Sequence, residues 1–277
     1  MKIIILTFAL LCCCLVKVAG DRFFERRGHI NILMRGYVAF ARFPLRILNE
    51  FRAPVLMTTP EVRTIPRRLF LTTHIPRHRI PNLLKTYAND FDVQLFNDKA
   101  AFNFMSEHFP SCLQTYVNFE LGAHRADLWR YCILYKYGGL YMDIKVVPQV
   151  NLTRFSGTHD KYTWFAVLDS SRMDIFNAII ATPPHNPIIY ECIQHILRNP
   201  TPRWYMQYCH YLLMLIEANY NIQLRAGIYE RRDDRVILLQ EFCRIVDENG
   251  DKMGLSCKIF NSSHEHVFDS RDPGYPW

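Results

Sequence analysis

The segment His124–Asp143, HRADLWRYCILYKYGGLYMD, constrains the fold of this chain more than any other stretch. From His124 to Tyr137 it places Leu128, Tyr131, Cys132 and Tyr135 at the i, i+3, i+4, i+7 spacing of a helix with one buried face. Gly138-Gly139 stops that helix, the first glycine suiting a left-handed C-terminal cap, and the chain turns at once into an apolar strand expected over Leu140–Ile144. Asp127 and Arg130, three residues apart, share another helix face. The turn brings both towards Asp143, at one end of the sheet. Taken alone, Asp127 and Arg130 also read as an ordinary surface ion pair, which is worth little.

Upstream, Arg68–Thr72 reads as a buried strand, Asn82–Ala88 as a short helix, Asp92–Phe96 as a second strand and Lys99–His108 as a helix. Downstream, Trp164 and Phe165 fill the core of a further strand. Such alternation predicts an α/β fold with a Rossmann-like, mainly parallel sheet flanked by helices. In open sheets of this kind ligands bind beyond the carboxyl ends of the strands, and Asp143 occupies such an end. The residues from Thr59 to Trp277 suffice for a single α/β catalytic domain with a full core, and no internal repeat interrupts them.

The N-terminus is of a different kind. Ile3–Val16 is an apolar run behind Lys2, too short for an ordinary bilayer span and within the range of a signal-peptide core, with small residues placed for cleavage after Gly20. Residues 1–20 therefore predict entry to the secretory pathway, as a cleaved signal or as an anchor that ties the protein to a membrane; a buried N-terminal helix is the alternative. Residues 21–58 are rich in arginine and read as a basic stem that carries much of the formal charge of +7. A solvated stem, or contact with anionic headgroups, accounts for that charge without a nucleic-acid partner. Outside the leader stand Cys112, Cys132, Cys192, Cys209, Cys243 and Cys257, which permit up to three disulfides, Cys243 with Cys257 foremost. No C-x-x-C or H-E-x-x-H spacing exists, so His74, His78, His108 and His124 read as surface or satisfied core histidines. Asn151-Leu152-Thr153 and Asn261-Ser262-Ser263 are glycosylation sequons.

The run from Ala126 to Asp143 resembles the signature of DXD-type sugar-binding-region glycosyltransferases, a family that includes fungal initiating mannosyltransferases and is distantly similar to clostridial toxin glucosyltransferase domains. Ile65–Thr72 looks like the family's opening strand, Asn177–Pro187 like a downstream element that precedes a helix, and Tyr275-Pro276-Trp277 like an aromatic C-terminal segment folded over the donor. The resemblance implies a GT-A fold that moves a hexose from a nucleotide sugar to a glycan, glycoprotein or glycolipid with retention of configuration. It further implies that Asp127 and Arg130 hold donor-sugar hydroxyls, that Tyr141 lines the nucleotide pocket, that Trp277 touches the donor, and that Asp143 binds hydroxyls and a metal-bound water. A carboxylate accepts two hydroxyls at once, and a guanidinium offers a rigid fork, so these roles are chemically apt.

Lys145 departs from the pattern. The family has there the aspartate that contacts Mn²⁺ or Mg²⁺, and an ammonium cannot ligate a cation. Three readings follow: Lys145 itself faces the diphosphate, making Asp143 and Lys145 the catalytic pair; a metal persists on Asp143 with Asp169, Asp174, Asp269 or Asp272; or the fold is kept for sugar-nucleotide or glycan binding without catalysis. Strand alternation would place Lys145 on the face of Asp143, where a plain ion pair is the simplest outcome. A hydrolase has no paired-carboxylate motif to rest on.

Overall fold

The computed structural model describes residues 62–73, 82–248 and 252–270. The expected leader and stem, His74, His78, Asp272 and Trp277 lie outside them. In chain order come β1 (Thr64–Ile65), β2 (Arg68–Thr72), α1 (Asn82–Tyr87), β3 (Asp92–Phe96), α2 (Asp98–His108), α3 (Pro110–Asn118), α4 (Gly122–Tyr137), β4 (Gly139–Met142) and β5 (Val147–Pro148). After a 3-10 turn at Leu152–Phe155 follow β6 (Gly157–Thr158), β7 (Tyr162–Leu168), β8 (Ile175–Thr182), α5 (Pro187–Arg198), α6 (Gln207–Tyr220), β9 (Gly227–Arg231), β10 (Asp234–Glu248), β11 (Lys252–Phe260) and β12 (His266–Asp269).

The main sheet runs β3-β2-β4-β8-β7-β10-β11-β12-β5, with β9 beside β10. Only β2 with β3, β2 with β4, and β7 with β10 pair in parallel; the other pairs of this sheet are antiparallel. The α/β class holds, but the mainly parallel sheet does not, and the fold is better described as a mixed sheet flanked by helices. The cause is local. β7 returns into β8 through the short turn Asp169–Asp174, a connection that only antiparallel strands allow. Because β7 is buried at every position, its sequence carries no alternation that would announce a hairpin.

Alternate side chains of the strands feed two apolar layers. Phe70, Tyr141 and Trp164 join the layer that holds Trp129, Tyr131 and Ile133 of α4, while Leu69, Leu71, Leu140, Met142 and Phe165 face the other side. Helix α4 packs on β4 and also against α3 and α5. Covered on both sides, it buries Trp129, Ile133 and Leu134 beyond the expected stripe, of which Tyr135 is only half-buried. Its polar residues are thereby taken out of water: Asp127 is 5% and Arg130 6% exposed, so the surface ion-pair alternative is wrong.

Gly138 ends α4 at φ 61°, donating its N–H to the Leu134 carbonyl at 2.8 Å. A Cβ there would stand 2.5 Å from the Pro184 nitrogen, and one on Gly139 2.7 Å from the Arg68 carbonyl oxygen. The glycine pair thus serves close backbone approach as much as the turn. Pro187 opens α5, with the Asn186 side chain accepting from the Ile188 and Ile189 N–H groups. Cys243 and Cys257 face each other across β10 and β11 and form a disulfide, as their sequence position suggested. Among the described residues Cys112, Cys132, Cys192 and Cys209 are buried thiols.

Candidate functional site

Asp143 follows β4 directly. Its N–H donates to the Ala178 carbonyl of β8 at 2.9 Å, and its own carbonyl accepts from Val146 N–H at 2.9 Å, closing a turn over Ile144 and Lys145. The strand expected to reach Ile144 therefore stops at Met142. The predicted proximity of Asp143 and Lys145 is found nonetheless, with Lys145 Nζ 3.5 Å from Asp143 Oδ2. The turn produces it, not the pleat.

Behind this turn lies a buried polar cluster. Tyr141 Oη donates to Asp143 Oδ1 at 2.6 Å and is 3.0 Å from Thr72 Oγ1. The Arg130 guanidinium lies over the Tyr141 ring, 4.5 Å from its centroid. One Arg130 nitrogen is 3.6 Å from Asp127 Oδ1 and another 4.0 Å from Asp143 Oδ1, while Nε donates to the Ala126 carbonyl at 3.1 Å and Nη1 to the Asn177 carbonyl. Asn177, in β8, completes the cluster: its amide nitrogen donates to Asp127 Oδ1 at 3.1 Å and to Tyr131 Oη at 2.7 Å. Its buried Oδ1 has no hydrogen-bond partner among the described residues. The structure brings together Asp127, Arg130, Tyr141, Asp143 and Lys145, while Trp277 lies outside the described residues.

The two carboxylates have opposite environments. Burial pushes the Asp127 carboxyl above its ordinary range in spite of Arg130. Burial also opposes ionisation of Asp143, but Arg130, Lys145 and the Tyr141 hydrogen bond outweigh it and hold that carboxyl below its ordinary range. Asp127 and Asp143 carry two negative charges against the two positive charges of Arg130 and Lys145, so the cluster sums to zero when all four are ionised. Each Asp143 oxygen already faces a donor or a cation. This donor set is a poor fit for a divalent ion, which would need several oxygens turned towards it.

The alternative metal carboxylates are engaged elsewhere. Asp169 accepts from Ser171 Oγ and from the N–H groups of Met173 and Asp174, holding its own turn. Asp174 lies 3.4 Å from His210 Nδ1, and Asp269 bonds Gln149 at 2.7 Å and His266 at 3.0 Å. Among the described residues, the only potential metal cluster of three or more ligands joins Glu241 to Cys243 and Cys257, whose sulfurs are spent in the disulfide.

Two residues escaped the sequence reading of the site. In the sequence Asn177 stands only at the start of an element before a helix, since an isolated Asn in an apolar strand gives no local sign of its partner. Tyr205, 58% exposed, lies in the loop before α6, where its carbonyl meets His124 Nε2 at 3.0 Å and its ring stands 5.8 Å from the His124 ring. Burial above all, and then the negative charge of Asp127, push the Tyr205 hydroxyl above the ordinary tyrosine range. His124, and His108 with its 3.2 Å contact to Tyr137 Oη, are satisfied as expected.

Residues 78–173 match the family described as glycosyltransferase sugar-binding region containing DXD motif. Mannosyl phosphorylinositol ceramide synthase of Saccharomyces cerevisiae is 25% identical over 160 residues, 54% of this chain and 39% of that protein. Inositol phosphoceramide mannosyltransferase 2 of Schizosaccharomyces pombe is 26% identical over 117 residues, 42% of this chain and 32% of that protein. The chain thus spans less than half the length of these curated relatives. Among solved structures, PaToxG glycosyltransferase aligns with a TM-score of 0.41 at 12% identity, over 56% of this chain and 69% of that one. The family match covers residues 78–173 alone, and within it Lys145 stands where the resemblance expects the motif's second aspartate.

Proposed function

We propose that the protein transfers a hexose from a nucleotide sugar to the polar head of a glycolipid, in the secretory pathway and with retention of configuration, on a GT-A-type scaffold. The buried Asp127–Arg130–Asn177 cluster beside Asp143 carries this reading. Three polar side chains, Asp127, Arg130 and Asn177, are withdrawn from water beside the end of β4, and such a cluster suits a polyhydroxylated ligand. Asp127 and the unpartnered Asn177 Oδ1 offer acceptors for sugar hydroxyls, and Arg130 orients them. Lys145, a third exposed at the rim, faces the diphosphate and offsets the charge that grows as the bond from the anomeric carbon to phosphate oxygen breaks. The acceptor oxygen bonds to the same carbon, and its proton passes to the departing phosphate, so no enzymic base is required. Support for a glycolipid acceptor comes from the relatives, whose names specify inositol phosphoceramide.

The test is nucleotide release by purified protein from a panel of sugar nucleotides, with and without Mn²⁺, alongside donor binding by calorimetry. Release in chelator that rises on adding a glycolipid supports the proposal. Binding without release from any donor, under either condition, would sink the transferase reading and leave a sugar-nucleotide-binding protein.

A further inference from the structure

A concavity on the protein is lined by none of the residues of the Asp143 cluster. It is a cleft of about 570 Å³ lined by Arg172, Arg225, Ile228, Gln240, Phe242 and His264, with Asn261 and Ser262 at its edge. None of its lining residues is acidic, and among the described residues neither Arg172 nor Arg225 has an acidic partner. Ile228 and Phe242 are 57% and 46% exposed, an apolar flank beside two guanidinium groups. In its wall Gln240 is 2% exposed; its amide nitrogen is spent on the carbonyls of Asp169 and Glu241, and its Oε1 has no partner among the described residues. A buried acceptor without a protein partner needs a donor, which a water or a bound hydroxyl can supply. The backbone is strained here too: Arg172, at φ 57°, and His264, at φ 60°, line the cleft, and Leu224, at φ 48°, precedes Arg225. Non-glycine residues held at positive φ gather at functional sites.

We infer that this cleft binds the phosphodiester-linked polyol headgroup of the acceptor glycolipid, its phosphate between Arg172 and Arg225 and its aglycone against Ile228 and Phe242. Guanidinium groups match phosphate in charge and geometry. Gln240 Oε1 accepts from a polyol hydroxyl, and the exposed apolar pair covers the first carbons of the lipid. The Asp169–Asp174 turn carries Arg172, is held by the Gln240 amide on the Asp169 carbonyl, and leads into β8, whose third residue is Asn177. The inference rests on the transferase reading for what the headgroup is bound for, and not for whether it binds.

The experiment uses the full chain, enzymatically deglycosylated because Asn261 borders the cleft. Titration calorimetry with glycerophosphoinositol should give binding that Arg172→Ala/Arg225→Ala weakens at least tenfold, with myo-inositol and inorganic phosphate each far weaker. Vesicles of phosphatidylcholine doped with phosphatidylinositol should be bound in preference to vesicles doped with phosphatidylserine, and the preference should vanish in the double variant. Unchanged glycerophosphoinositol affinity in the variant, or equal binding of phosphatidylserine and inorganic phosphate, would overturn the inference in favour of a general basic surface. Acceptor-free nucleotide release reports separately: it should be the same in both proteins. Its absence from both would count against the transferase reading while leaving the cleft's binding intact.

Discussion

At the scale of single residues, charge decides between the readings of this site. Replacing Lys145 by Asp changes the cluster by two units, the charge that one divalent ion offsets. Lys145→Ala should lower donor turnover about tenfold to a hundredfold while leaving the melting temperature nearly unchanged, and Lys145→Asp should recover turnover only when Mn²⁺ is added. Full turnover by Lys145→Ala in chelator would rule out an ammonium facing the diphosphate. Asp127 gives a second prediction, through pH. Its folded pKa is raised by burial, so folding takes up a proton there as pH falls, and stability gains as pH drops from the folded towards the unfolded value. If Asp127 must be ionised to hold hydroxyls, the acid limb of turnover lies above the ordinary aspartate range, and Asp127→Asn should abolish that limb together with most activity. A limb retained in the variant assigns it to another group. The sequence exposed Asp127, Arg130, Asp143 and Lys145, because a helix, a glycine pair and a strand of fixed spacing can bring them together in few ways. It was silent on Asn177 and Tyr205, whose partners lie 50 and 81 residues away in the chain.

At the scale of elements, the α4–β4 junction depends on two glycines that approach other backbone closely. Gly138→Ala would combine positive φ with a Cβ that meets Pro184, so a loss of about 2 kcal/mol or more in chemical denaturation is expected. A stability equal to that of the parent would mean that the junction relaxes freely. The β10–β11 hairpin depends instead on a covalent tie that closes 14 residues, and Cys243→Ser/Cys257→Ser should cost about 2–3 kcal/mol. Donor turnover should survive, since the bridge lies outside the Asp143 cluster. In the first half of the domain β2 and β3 match their expected bounds, and α1 and α2 theirs to within a residue, whereas α3 was not read from the sequence. Direction was not legible. β8 is an apolar run with no sign of which way it runs, and the turn that reverses it is built by Asp169 capping Met173 and Asp174, a side-chain device without a glycine or proline signal.

At the scale of the whole molecule, the helical apolar layer of the mixed sheet encloses Cys112, Cys132 and Cys192, and Cys209 is buried in α6. These thiols should resist alkylation in the native state and react together as denaturant unfolds the domain; early reaction of one of them would report a local opening in the helical layer. Among the described residues no helix is long and apolar enough to cross a membrane. The sequence indicated an α/β fold with a candidate site at Asp143, whereas the cleft assembled from the turn after β7, the β9–β10 ribbon and the β11–β12 hairpin has no contiguous signature to read. The placement of Lys145 bears finally on how such a site evolves. Asp127, Arg130 and Asn177 interlock in the core, so a change at one leaves the others stranded, while Lys145 stands on a turn at the rim. The rim is where the sign of a charge can be exchanged without rebuilding the interior, so variation in charge should be sought first at turns that border an interlocked core.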